Sequence, residues 1–102
     1  MSISILKNDE LNRFEIYSDG ELAGFAEYKV SNQMISYTHT EMDPEFGGKG
    51  LGSQLIREAL AEPLEQNLEV APYCSFVSAY IKKNSEKYLD LIPKSSRNLF
   101  DL

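Results

Sequence analysis

The chain places four glycines and one lysine within a short segment, Gly47 to Gly52, directly before a stretch with helical periodicity. From Leu51 onward, apolar residues fall at positions 51, 55, 56, 59 and 60, which is one face of a helix. Backbone N–H groups at a helix N-terminus attract anions, and glycines let an anion approach them closely. Lys49 adds a positive charge. The segment therefore predicts an anion-binding site; a loop that uses its glycines only for turning is the alternative.

Two familiar nucleotide-binding motifs do not fit this segment. A P-loop requires Ser or Thr directly after its lysine, whereas Gly50 follows Lys49 here. A dinucleotide fingerprint requires G-x-G-x-x-G after a parallel strand, and the order Gly48-Lys49-Gly50-Leu51-Gly52 does not match it. A pyrophosphate cradle of another type remains.

The first half of the chain reads as an antiparallel meander that would position this segment. Apolar alternation predicts four strands, at residues 3–7, 12–18, 21–30 and 33–42. Asp19-Gly20, between the second and third, is a strong hairpin signal. On the third strand, the alternation predicts one shared face for Leu22, Ala26, Tyr28 and Val30.

The second half reads as helices around one short strand. We expect Pro63 to end or kink the helix that starts at Leu51. The strand covers residues 68–71, and helical stretches follow at residues 75–84 and 88–92. The order β-β-β-β-α-β-α predicts an α+β fold, an antiparallel meander followed by α-β-α, in a single domain over residues 1–102.

Composition narrows the possible partners. The net charge of −6 argues against non-specific nucleic-acid binding and is compatible with a cationic ligand such as an amine. No apolar run approaches the roughly 20 residues of a membrane span, and MSISILKNDE does not read as a signal peptide. One cysteine, Cys74, suits a reducing compartment such as the cytoplasm. We predict no metal site, and a monomer or a weak dimer that pairs through the strand edge at residues 3–7.

Residues 44–52, PEFGGKGLG, resemble the acetyl-CoA loop of the GNAT N-acetyltransferases, whose pattern is Q/R-x-x-G-x-G/A. With "YTHTEMDPEFGGKGLGSQLIREAL" and "VAPYCSFVSAYIKKN", followed by "YLDLI", the chain is similar to the small YjdJ-type branch over residues 10–92. Gly47 departs from the pattern, because it stands where the family carries Arg or Gln. The resemblance implies acetyl-CoA-dependent acetyl transfer to an amine, a peptide lysine included. A CoA-binding module without turnover and a small interaction domain are the alternatives.

The resemblance also implies where acetyl-CoA would bind. The sheet would splay between strand 33–42 and strand 68–71, and the backbone of Glu41 and Met42 would pair with the pantetheine arm. The pyrophosphate would meet the loop amides of Gly47, Gly48, Lys49, Gly50, Leu51 and Gly52. Lys82, Lys83 and Asn84 would lie near the nucleotide end; a solvated helix end is the alternative.

Four residues are candidates for the chemistry that the resemblance implies. His39 and Glu41 lie two residues apart on one strand, so we expect them to share a face, together with Ile35 and Tyr37. Such a pair could relay the proton that an ammonium must lose before it attacks a thioester; two solvated sheet residues are the alternative.

The other two candidates lie in the second half. Tyr80 falls where many family members carry the tyrosine that faces the thioester sulfur, so it could be a general acid or a core aromatic. Cys74 precedes a helix N-terminus, which favours the thiolate. It could accept the acetyl group, protonate the leaving thiolate, or be a small buried residue. Only a turn fits between Lys7 and Asn12, where larger family members carry helices, so we expect an open acceptor side.

Overall fold

A computed structural model describes residues 2–47 and 50–102. Its single sheet has five strands in the order of the chain. They are β1 (Ile3–Asn8), β2 (Arg13–Ser18), β3 (Glu21–Ser31), β4 (Met34–Met42) and β5 (Glu69–Pro72). The first four pair antiparallel, and β5 pairs parallel to β4. A turn at residues 9–12 joins β1 to β2, as the sequence predicted.

Four helices follow the meander. They are α1 (Leu51–Ala59), α2 (Ala61–Gln66), α3 (Ser75–Lys83) and α4 (Ser85–Tyr88), with 3-10 turns at Pro44–Phe46, Leu89–Leu91 and Lys94–Phe100. The predicted α+β class and element order are confirmed. Within residues 2–47 and 50–102, no helix combines the length and the apolar character that crossing a membrane requires.

Two hairpin turns use residues that tolerate positive φ. Asp19 and Gly20 have φ of 50° and 84°, which fits a type I′ turn in the predicted hairpin between β2 and β3. Asn32, with φ of 55°, turns the chain from β3 into β4. These short turns fix the register of the meander, and so they set which side chains face the helices.

A β-bulge divides β4 into two halves. Tyr28 of β3 pairs with Tyr37, but its neighbour Glu27 pairs with His39, so Thr38 is the extra residue. Because successive side chains on a strand alternate between faces, one extra residue reverses the face of everything after it.

The bulge corrects one expectation about the candidate site. His39 and Glu41 do share a face, with side chains 54% and 62% exposed. Ile35 and Tyr37 are fully buried and point to the other side of the sheet. The prediction that all four share one face is wrong, because the extra residue Thr38 lies between the two pairs.

A second register shift corrects the predicted face of β3. Tyr17 pairs with Leu22 while Ile16 pairs with Gly24, so Ala23 is the extra residue and takes the buried position. Leu22 is consequently 38% exposed. Val30 keeps the predicted face, because it pairs with the buried Ile35, but it is 58% exposed next to the turn at the end of β3.

The helical segment after the glycines breaks between Ala59 and Ala61, as Pro63 led us to expect. Proline has no N–H, so Pro63 cannot donate to the carbonyl of Ala59, its partner in a continuous helix. The hydroxyl of Tyr37 donates to that carbonyl instead, at 2.5 Å. This hydrogen bond joins β4 to the break and satisfies both buried groups.

The helices α1 and α3 lie in contact next to the sheet. A Cβ at Gly52 would come within 2.5 Å of the Phe76 ring, so the glycine permits this close approach. Leu55 and Ile56 of α1 and Val77 of α3 are fully buried in the same hydrophobic cluster. The cluster therefore holds both helices on one side of the sheet, with α1 against β2 and β3 and α3 against β4 and β5.

Candidate active site

The sheet opens between β4 and β5, where the splay was predicted. The pairing of the two strands covers only Met34–Tyr37 of β4. The last contact is the N–H of Cys74, which donates to the carbonyl of Tyr37 at 2.9 Å. Beyond it, β4 continues along β3 as far as Met42. An extended group could therefore pair with this second half of β4, in the manner of an added strand.

The opening leads to the N-terminus of α1. Gly50 caps this helix with φ of 71° and ψ of 12°, and a Cβ there would meet nothing within 4 Å. The first turn carries no acidic residue. A cavity of about 270 Å³ lies against it, with Met42, Phe46, Gly50, Ser53 and Phe76 among its lining residues. A helix N-terminus of this kind suits an anion.

The structure explains the other glycines of the predicted cradle in different ways. Gly47 has an extended backbone that any residue adopts, with φ of −65° and ψ of 154°. Gly52 lies against Phe76, and that packing explains why it lacks a side chain. Gly48 and Lys49 lie outside the described residues. Among the described glycines of the cradle, Gly50 is thus the one whose positive φ favours glycine.

A second cavity adjoins the first, and together they form a groove between α1 and α3. The second cavity holds about 170 Å³ and is lined by Ser53, Phe76, Ala79, Tyr80 and Lys83. Ser53 and Phe76 also line the first cavity, so the two are neighbours. This arrangement places the Lys83 side chain and Tyr80 along one groove that starts at the glycine-capped helix.

The amide of Asn84 has a structural partner. Its Nδ2 donates to the carbonyl of Tyr80 at 2.9 Å and so caps the end of α3. Lys82, the neighbour of Lys83, forms an ion pair with Asp101 at 3.1 Å. Of the basic residues at this helix end, Lys83 is the one that lines the groove.

Tyr80 is separated from the other catalytic candidates. It lies on α3 at ~9 Å of helical rise from Cys74, and its ring packs 5.7 Å from that of Tyr88. Burial and a hydrogen bond with Tyr88 raise the pKa of Tyr80 above its ordinary value. The phenol therefore stays protonated at neutral pH.

Cys74 lies at the opening itself, held by a residue that the sequence did not single out. Its thiol donates to the Oγ1 of Thr40 at 3.2 Å. It also occupies the N-cap position of α3 and is partly buried. Thr40 pairs with the buried Ala26 and so points to the core side of the sheet, opposite to its neighbours in β4.

His39 and Glu41 lie on the exposed side of the same strand. The His39 Nε2 and Glu41 Oε2 atoms are 3.4 Å apart. The ring of Phe25 lies 6.1 Å from that of His39, and the Arg13 guanidinium stacks over Phe25 at 4.3 Å. Within the described residues, the second half of β4 has no partner strand on the β5 side, and we call it the unpaired half. It therefore carries a His/Glu pair on one face and the Cys74–Thr40 contact on the other.

A glycine on β3 was also missed by the sequence reasoning. A Cβ at Gly24 would come within 2.6 Å of the Glu41 carbonyl oxygen and 2.3 Å of the Met42 sulfur. Gly24 thus allows β3 to approach β4 closely at the residues expected to pair with the cofactor. Its position inside a strand pattern was the available signal, because an internal glycine often marks a close backbone approach.

Within the part of the chain that the structure describes, no three His, Cys, Asp or Glu side chains are grouped so that they could hold a metal ion. The groups near the opening are instead a His/Glu pair, a thiol and hydroxyls. These can transfer protons and donate hydrogen bonds, which acyl transfer requires.

Solved structures share this fold. The solution structure of a GCN5-like protein from Staphylococcus aureus matches with a TM-score of 0.67 and 27% identity, covering 88% of this chain and 87% of the other. The crystal structure of the ribosomal-protein-S18-alanine N-acetyltransferase from Escherichia coli matches in fold, with a TM-score of 0.55 and 20% identity over 62% of this chain and 41% of that one. None of the curated proteins compared with this chain matches it.

A match to a family model assigns the chain to a protein family. Residues 13–91 match the model described as GCN5-related N-acetyl-transferase. The matched region starts at the first residue of β2 and ends with the 3-10 turn after α4, so it includes the opening, the glycine-capped helix and all four catalytic candidates. The chain therefore belongs to the GCN5-related N-acetyltransferase family.

Proposed function

We propose that this protein transfers the acetyl group of acetyl-CoA to an amine, in a cleft between β4 and β5. The observation that carries this proposal is the unpaired half of β4, which leads directly to the glycine-capped N-terminus of α1. The extended arm of acetyl-CoA would pair with the unpaired half of β4, and its diphosphate would bind at the N-terminus of α1. The family membership supports the same reaction class.

The residues around the opening fit acetyl-CoA. The backbone of Glu41 and Met42 would hold its extended arm, and the amides from Gly47 to Gly52 would hold its pyrophosphate. Lys83, which lines the groove, would contribute positive charge, and we propose the same for Lys49 of the predicted cradle. When bound, the cofactor supplies an acetyl group activated as a thioester. We propose that residues 1–102 form one domain around this site.

The chain's own groups would move two protons. The acceptor arrives as an ammonium on the exposed face, and the His39–Glu41 pair takes its proton, so that the neutral amine can attack. On the opposite side of β4, the Cys74 thiol, held by Thr40, would donate a proton to the leaving sulfur, and the Cys74 thiolate that remains would take up the second proton that the amine loses as the amide forms. Tyr80, protonated and further along the groove, would donate a hydrogen bond to the bound cofactor.

A CoA-binding protein without efficient turnover is the second candidate. Gly47 favours it, because the family pattern has a longer polar side chain at this position and Gly47 has none. The unpaired strand and the helix N-terminus would remain sufficient for binding. The two candidates differ in whether thiol release depends on an amine.

Binding is tested by calorimetry with acetyl-CoA on three proteins. The natural chain should bind, and Gly50→Val should lose binding, because a β-branched residue does not adopt φ near +70°. Gly50→Asn is the matched control, since asparagine tolerates that conformation and should bind. Equal affinity in all three would place the phosphates elsewhere.

Turnover is tested by release of CoA thiol with a panel of amines and peptides. Amine-dependent release supports the transferase, whereas binding without release supports the second candidate. We further propose a cytoplasmic, YjdJ-type protein that is a monomer or weak dimer. The single free Cys74 supports the reducing compartment.

A further inference from the structure

One face of the sheet is left open by the helices and carries the candidate base. The fully buried Phe14 and Ala26 mark the side that the helices cover. The opposite side presents Arg13, Phe25, Glu27, His39 and Glu41, as the pairing of β2 with β3 and of β3 with β4 shows. We call these five residues the exposed face. Its His39 and Glu41 side chains are more than half accessible.

A cavity of about 340 Å³ continues the exposed face at the start of β3 and the end of β4. Leu22, Phe25 and Pro44 form apolar walls, and the carboxylates of Glu41 and Asp43 lie at its edge. Met42 lines both this cavity and the one at the N-terminus of α1. A group bound here would therefore be next to the proposed cofactor site.

The charges of this region favour a cation. Arg13 is paired with Glu15 at 2.6 Å, so that pair carries no net charge. The carboxylates of Glu27, Glu41 and Asp43 remain, while Lys29 is further along β3, away from the cavity. The whole chain carries a net charge of −6.

We propose that the exposed face binds a basic peptide, with a second Lys or Arg side chain in the cavity while the reacting lysine lies at His39. This rests on the proposed acetyl transfer. The apolar walls suit the aliphatic stem of a basic residue, and the carboxylates suit its charged end. A peptide fits better than a small diamine, because the face is open and a chain can contact its whole length.

The geometry sets the spacing between the two basic residues. His39 and Asp43 are separated by ~13 Å along the strand, at about 3.3 Å per residue. An extended peptide covers this distance in three to four residues. Glu41 and Phe25, at the near end of the cavity, lie beside His39, so this spacing applies to Asp43 at the far end.

The test uses N-terminally blocked peptides with one lysine and either Arg or Gln three or four residues away. Thiol release should give a KM about fivefold lower for the Arg peptides, with kcat nearly unchanged. Asp43→Asn should remove the preference while keeping the Oδ1 that accepts the Glu45 N–H at 3.0 Å. Glu58→Gln, an exposed charge change on α1, is the matched control and should keep it.

Three outcomes would overturn the inference. They are equal KM values for Arg and Gln peptides, equal loss of preference in Glu58→Gln, or a lower KM for a simple diamine than for any peptide. Fluorescence anisotropy of labelled peptides separates this inference from the proposed function. Arg-dependent binding that Asp43→Asn abolishes, without any acetylation, would support the peptide site and overturn the transferase.

Discussion

Thr40 holds the thiol of Cys74 at the opening of the sheet, and this contact decides what the cysteine can do. The Sγ–Oγ1 distance of 3.2 Å orients the thiol proton toward an acceptor within the protein. A leaving thiolate in the opening would be a stronger acceptor than a threonine hydroxyl. For the proposed reaction, the contact therefore favours proton donation over nucleophilic attack; the sequence left these two roles open beside that of a small buried residue.

We predict that Cys74→Ala lowers kcat by about 100-fold, the usual effect of losing a general acid. Acetyl-CoA affinity should stay the same, because the proposed binding groups are backbone amides. Cys74→Ser keeps an O–H donor and should retain more activity than Cys74→Ala. Thiol-release kinetics and calorimetry check this. An acetylated Cys74 found by mass spectrometry after acid quenching would contradict the proton-donor role.

Glu15 is a buried carboxylate, 3% exposed, under the exposed face. Burial raises its pKa, but hydrogen bonds from Arg13, Tyr17 and Asn8 outweigh burial and hold the pKa below the ordinary value. The Arg13–Glu15 distance is 2.6 Å. Since Arg13 also stacks on Phe25, this network supports the surface next to His39.

The lowered pKa of Glu15 makes its contribution to stability depend on pH. A carboxylate with a depressed folded pKa stabilises the fold above its unfolded pKa and loses that effect as pH falls through the folded value. We predict that Glu15→Gln lowers the free energy of unfolding by about 2 kcal/mol at pH 7, and by less at pH 3. Urea unfolding at both values checks this. A constant difference would show that ionisation is unimportant.

The bulge in β4 is the structural feature that could not be predicted from the sequence. Strand and helix limits were predicted within a few residues, because alternation and helical spacing are local. A one-residue register shift depends on the pairing with β3. The sequence therefore did not reveal that Tyr37 and His39 lie on opposite faces of the sheet. The partner of Cys74 was hidden for a related reason, since only the parallel pairing of β4 with β5 brings Thr40 to it.

Gly24 offers a test of the close approach between β3 and β4. Gly24→Ala would place a Cβ 2.6 Å from the backbone oxygen of Glu41, so β4 must shift. We predict a loss of about 1–3 kcal/mol in unfolding free energy and weaker acetyl-CoA binding. Gly47→Ala is the control, because its φ is ordinary and its nearest atom would be 3.3 Å away. Denaturant unfolding of both variants measures the effect. Similar losses of unfolding free energy in the two variants would argue against the close approach.

The link between Tyr37 and the break after α1 can be tested by removing one hydroxyl. Tyr37→Phe leaves the Ala59 carbonyl buried without its donor, and Pro63 cannot replace it. We predict a loss of about 1–3 kcal/mol in unfolding free energy. Tyr73→Phe, at a residue 61% exposed, should change stability little. Thermal and urea unfolding measure both; an unchanged Tyr37→Phe would mean that water satisfies the carbonyl.

At the scale of the whole molecule, the opening lies between the last strand of the meander and β5, while the hydrophobic cluster joins the meander to the helices. The described pairing between the two strands is confined to the first half of β4. A ligand that contacts both β4 and the groove between α1 and α3 would also join the two parts. Binding should therefore stabilise the complete fold, in addition to filling a local site.

We predict that acetyl-CoA at 100 times its Kd raises the unfolding free energy by about 2.7 kcal/mol. For a chain of 102 residues, this corresponds to a rise in Tm on the order of 10 °C. Differential scanning calorimetry measures it, with Gly50→Val as the control that should show no rise. A similar rise in Gly50→Val would mean that the stabilising contacts lie away from α1.

The unpaired half of β4 has a consequence for solubility as well as for catalysis. An exposed strand edge is a template for pairing with another chain, and such pairing starts aggregation. Here the edge from Thr38 to Met42 cannot be closed by β5 without closing the proposed cofactor site. Occupancy by the cofactor would cover it. The cellular supply of acetyl-CoA would then protect the protein from self-association, and depletion of the cofactor would expose an adhesive edge.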